Sequence, residues 1–167
     1  MNLFDGPRRA GVATVLFVAA AHVLIAQEWV NGAKNPERIP DSEAYQMLFL
    51  VMRSAPPPHW DFETKINYLK PAGFQPHEVH QLVLAADRFV ARSRPVEDQI
   101  KAVNQKYGRD VLNPVAVAEI RSLAEQRRRI VLDVVAELAP VLGSGGITRL
   151  QSHLDRVKRG MRTYIAP

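Results

Sequence analysis

"VHQLVLAADRFVARSRPVEDQIKAVNQKY", Val79 to Tyr107, decides the fold. Apolar or small side chains recur at Val79, Leu82, Ala86, Phe89, Ser93, Val96, Ile100, Val103 and Tyr107, always three or four residues apart. That spacing lays one apolar seam along a helix and leaves the other faces polar. Pro95 falls inside the run, where it removes a backbone donor and crowds the preceding turn. The seam keeps its phase across the proline, so the spacing predicts one long, kinked helix. "YGRDVLNP" then stops the helix at Gly108, with Asn113 as cap and Pro114 as the first residue of the next helix.

Downstream, a second seam runs through Val117, Ile120, Ala124, Arg127, Val131, Val134, Leu138 and Val141. A third runs through Ile147, Leu150, Leu154, Val157, Met161 and Tyr164. Two long helices of similar length joined by a short loop should pack antiparallel. Upstream, "SEAYQMLFLVMRSA" reads as a short helix capped by Asp41 and Ser42, and "PPPHW" breaks it. "DFETKINYL" adds a helical turn that "KPAGF" stops. No segment alternates with period two, so no strand is expected. The expected fold class is all-α: a long antiparallel helical hairpin with flanking short helices, spanning residues 42–167.

The start of the chain has a different character. Arg8 and Arg9 precede seventeen uncharged residues, Ala10 to Ala26, in the layout of a secretory signal. Cleavage after Ala26 would put Leu24 at −3, and cleavage after Ala21 leaves a short apolar region, so an uncleaved inner-membrane anchor is the competing reading. Either way the arginines stay cytoplasmic and the remainder is exported, to the periplasm. Residues 27–41, with "NGAKNPERIP", read as a linker.

With no cysteine in 167 residues, disulfides, thiolate metal sites and cysteine nucleophiles are excluded. Net charge is +5, and it is uneven: from Ile120 onward nine basic residues face four acidic ones. A basic C-terminal third suits an acidic protein partner or an anionic membrane surface. Nucleic acid does not fit an exported chain. "EQRRRIV" sets Arg127 on the second seam, where it needs Glu97 or Asp98 as partner or an open concave surface. In the last helix Arg149, Arg156 and Arg159 share one side. Arg127, Arg128, Arg156 and Arg159 are the candidate partner-binding residues. No nucleophile–base pair, phosphate-cradling loop or paired carboxylates at motif spacing stands out, so neither an enzyme nor a cofactor is expected.

In "PHEVHQ", Pro76 suits a first helical position and Glu78 the third, where a carboxylate meets unpaired amides. His77 and His80 lie three apart and could share a metal ion, with His59 or His153 as a third ligand. Two imidazoles alone leave a zinc site incomplete. "GSGGITRLQ" offers Thr148 and Gln151 as a capping box, with Ile147 before the cap. Together "FQPHE" (Phe74, Gln75, Glu78) and "ITRLQ" (Ile147, Thr148, Gln151) look like two copies of one helix-start pattern. The pair resembles the LTxxQ signature of the Spy/CpxP family of periplasmic proteins, with the first copy degraded. The resemblance implies a helical hairpin, often a cradle-shaped homodimer. It also implies binding of unfolded clients or sensing of envelope stress or metal. The alternatives are a membrane-anchored accessory or structural subunit of an envelope complex, and a periplasmic metal sensor using His77 and His80.

Overall fold

The computed structural model describes residues 28–53, 61–108 and 113–165. Its elements in chain order are β1 (Glu28–Asn31), α1 (Asp41–Arg53), α2 (Phe62–Leu69), α3 (Pro76–Tyr107), α4 (Pro114–Gly160) and β2 (Arg162–Ile165). The fold is all-α, built on the α3–α4 hairpin. The two helices run antiparallel, since cross-pairs move down one helix as they move up the other. Tyr107 meets Glu119, Glu97 meets Arg127, Arg92 meets Glu137 and Glu78 meets Arg149.

Along α3 the seam lies where the spacing put it: Val79, Leu82, Ala86, Phe89, Ser93, Val96 and Val103 are buried. The helix passes Pro95 unbroken. Ala91, whose carbonyl would have received the missing amide, is on the solvent side with Pro95. The Ser93 hydroxyl is turned inward and donates to the Phe89 carbonyl at 2.7 Å. On α4 the expected seam holds at Val131, Val134 and Leu138 but slips by one residue at both ends. Ala116, Leu123 and Leu142 are buried in place of Val117, Ala124 and Val141, and Val141 is 54% exposed. A straight helix turns once per 3.6 residues, so a strict three–four repeat drifts off the contact line within a few turns.

Two clusters fill the hairpin unequally. At the base, α1 drives Tyr45, Leu48, Phe49 and Met52 between the long helices against Leu82, Phe89, Val134, Leu138, Leu150 and Leu154. At the tip, Val96, Val103, Ala116 and Leu123 are the buried apolar residues among those described.

The chain before α1 is not a linker. β1 pairs antiparallel with β2, Glu28 opposite Ile165 and Asn31 opposite Arg162. A 3-10 turn, Pro36–Arg38, follows, and Val30 and Ile39 are buried. Gly32 lies so close to α4 that a Cβ there would sit 1.8 Å from the Lys158 carbonyl oxygen. Lys158, itself buried, pairs with Asp41 at the start of α1. This ribbon corrects the expectation of no strands, and it takes Tyr164 out of the third helical seam. Four-residue strands carry too few positions to show a period of two. At the start of α1 the amides of Glu43 and Ala44 bond the Pro40 carbonyl, and Ser42 is buried. α2 is capped by Asp61, whose carboxylate accepts the Thr64 amide at 2.7 Å.

Candidate functional site

The two helix starts that read as copies of one pattern meet in space, but their roles are reversed. The weaker copy forms the box: Gln75 is the cap of α3, and its amide donates to Glu78 Oε2 at 2.8 Å. Thr148, in the stronger copy, does not cap a helix. Its hydroxyl donates back to the Ser144 carbonyl at 3.0 Å, one turn inside α4. The break comes earlier, at Gly143, whose φ of 65° and ψ of 177° interrupt the helix alone. A single glycine with positive φ is enough to redirect the chain, and Ser144 to Gly146 already belong to the continuing helix.

Arg149, between the two residues of the expected box, donates instead to Glu78 across the hairpin. Glu78 is 3% exposed, and Gly146 lets it in, because a Cβ there would stand 2.9 Å from Glu78 Oε1. Burial pushes the Glu78 carboxyl up, but the Gln75 amide and the Arg149 guanidinium outweigh it and hold it below its ordinary value.

The basic residues proposed for partners divide in two. Arg127 pairs with Glu97 at 3.0 Å, one of the options its place on the seam allowed. Arg128 forms a two-pronged bond with Glu125, which also takes Arg129. Both are therefore neutralised within the chain. Arg156 and Arg159 are exposed, and no carboxylate pairs with either among the described residues. His77 and His80 are exposed on α3, with His80 edge-on to Phe62 at 6.0 Å. His59 lies outside the described residues. His153 is buried on α4, between the rings of Tyr68 and Phe74. No group of three side chains able to hold a metal ion occurs among the described residues.

Arg156 opens onto a groove of about 560 Å³ between α1, α2 and the C-terminal end of α4 with β2. Met47 and Leu50 of α1 form an apolar wall, 44% and 47% exposed. Val157 and Met161 line the other side, His153 and Tyr68 reach in from below, and Arg156 and Arg162 supply positive charge against one acid, Glu43. Burial, helped by the charge of Arg156, holds the His153 imidazole below its ordinary value. The groove was not evident from the sequence. Its one signal is "MLFLV", Met47 to Val51: five successive apolar residues on a helix point in every direction, so some must face away from the core.

An 18-residue stretch of α4 has a mean hydropathy of 1.7, enough in length and composition to cross a membrane, and 28% of it is buried. Among the exposed large apolar side chains of α4, Leu132 and Val141 lie nine residues apart and so on opposite faces of the helix. The N-terminal run Ala10 to Ala26 lies outside the described residues.

Fold and groove together define a helical-hairpin protein with a lateral groove lined by apolar and basic side chains. No protein-family model, curated protein or solved structure matches this chain.

Proposed function

We propose that this is a non-enzymatic, exported protein that binds polypeptide clients or an envelope partner, as the resemblance to the Spy/CpxP family implies. The observation that carries the reading is the groove: exposed Met47 and Leu50 stand beside Arg156, whose charge has no carboxylate partner among the described residues. Apolar area next to a free cation suits segments that mix apolar and acidic residues, the charge steering encounter and the apolar wall supplying contact. Arg159 extends the same basic edge. Arg127 and Arg128 are tied to acids and contribute less.

The test is suppression of aggregation of an unrelated unfolded protein, without nucleotide, at equimolar ratio. Protection should drop several-fold in Met47→Gln/Leu50→Gln and in Arg156→Glu, while Arg128→Gln leaves it near the wild-type level. Full protection by the groove variants would sink the proposal.

The membrane-anchored accessory subunit is the second reading, and one observation favours it. β1 begins at Glu28, two residues beyond Ala26, and is hydrogen-bonded to β2. A chain held in the bilayer by residues 10–26 would thus enter the folded domain almost directly. Retention of an intact N-terminus in washed membranes, by fractionation and intact mass, supports the anchor. A soluble periplasmic chain that has lost its first residues removes it.

A further inference from the structure

The chain enters the described structure beside the basic C-terminal end of α4. Ala26 closes the uncharged run, and Trp29, in β1, stands three residues later and is 50% exposed. In the register Trp29 is opposite Tyr164. Successive strand residues alternate between faces, so Trp29 shares its face of the ribbon with Arg162. Val30, on the other face, is buried. Arg162 is exposed, and so is Arg159, three residues earlier in the last turn of α4. No carboxylate pairs with either arginine among the described residues.

The helix dipole favours a cation in the last turn, which accounts for Arg159 alone. Arg162 lies beyond the helix, and Trp29 belongs to another element. An indole ring beside two unpaired guanidinium groups is the chemistry of a lipid headgroup layer. The ring is half apolar and half polar, as that layer is, and the guanidinium fork matches phosphate oxygens. The reach of the chain points the same way. Three extended residues span at most about 10 Å, and the headgroup layer on each side of a bilayer is about 5–8 Å deep. A chain whose residues 10–26 cross the membrane therefore holds Trp29 in that layer or at its outer margin. An acidic protein would pair the arginines but has no such tether.

We propose that the ribbon edge of the domain rests on an anionic phospholipid surface, with Trp29 among the headgroups and Arg159 and Arg162 on their phosphates. The proposal rests on the anchored reading given above, and it adds which side of the domain faces lipid. Such a surface needs little affinity of its own, because the span holds it at high local concentration.

The test uses the full chain with Trp60→Phe, which leaves Trp29 as the one tryptophan. It is placed in nanodiscs of phosphatidylcholine brominated high on its acyl chains, with or without phosphatidylglycerol. Adding phosphatidylglycerol should raise the quenching of Trp29 about twofold and shift its emission to the blue, and high salt should reverse both. Arg159→Gln/Arg162→Gln should abolish the gain. Arg121→Gln/Arg129→Gln, which removes the same charge farther along α4, should keep it. Quenching indifferent to phosphatidylglycerol, or equally reduced by the two double variants, overturns the proposal, because the span alone then places Trp29. A chain retained in the discs with that result keeps the anchored reading and loses only the docked edge. A chain that does not stay with the discs removes the anchored reading, and the docked edge with it.

Discussion

The base and the tip of the hairpin are made of the same two helices and are held together by different means. At the base α1 wedges between them, and Phe49, Met52, Leu82, Leu138, Leu150 and Leu154 are almost completely buried. At the tip two helices touch along one line and, among the described residues, bury four apolar ones, none below 5% exposure. Polar links differ in the same sense. The base has Glu78, nearly inaccessible, locked to Arg149. The tip has the Arg127–Glu97 pair, 24% and 40% exposed, and Tyr107 on Glu119 at 3.3 Å. A two-helix contact buries too little apolar surface to stand alone, so the tip depends on the base for its helical register.

The sharpest way to break this contrast is a matched pair of truncations. Phe89→Ala in the base should cost about 3–5 kcal/mol, and Val103→Ala in the tip about 1–2 kcal/mol, in urea unfolding. Equal losses would mean that the tip is as tightly built as the base. Next in size is Glu78→Ala, expected to cost about 3 kcal/mol, because it removes a cap and leaves Arg149 without its acid. Rescue by Arg149→Met in the double variant would show that the cost lies in the stranded charge.

A smaller effect appears on lowering the pH. His153 resists protonation in the fold, whereas the unfolded chain takes up a proton near pH 6.5. The unfolded state therefore binds more protons below that value, and stability should fall as pH drops, by at most about 1.4 kcal/mol per pH unit for this proton. His153→Phe should flatten the slope between pH 7.5 and 5.5. Glu78 contributes in the opposite range: its lowered carboxyl stabilises the fold above the ordinary carboxylate region, and that contribution is lost in stronger acid. The smallest change is Arg127→Ala, within about 1 kcal/mol, since a half-exposed pair is weakened by solvent.

How much of this was legible depended on how far apart the interacting residues lie in sequence. The seam of α3 and the Asn113–Pro114 start are local patterns and could be read directly. Arg127 could be matched with Glu97 because the hairpin register follows from its loop. The Glu78–Arg149 pair joins the start of α3 to a residue inside α4, 71 positions away in sequence, and nothing local marks it. Thr148 had the sequence of a cap, but Gly143 broke the helix five residues earlier. His153 stands three residues after Leu150 and four before Val157, so its burial was in the seam's phase. The groove it floors needed α1 and β2 in place, and the ribbon linking Glu28 to Ile165 has no signature in either strand alone.

That ribbon sets an order of events. β2 is the last of the described elements to be made, and its partner β1 is the first, so their pairing must wait for nearly all the intervening chain. Contacts this distant in sequence are slow to form, whereas the α3–α4 hairpin can zip locally. Met161, Arg162 and Thr163 line the groove. A chain emerging from a ribosome therefore carries its helices before it has a groove, and the groove takes shape only when the clasp shuts.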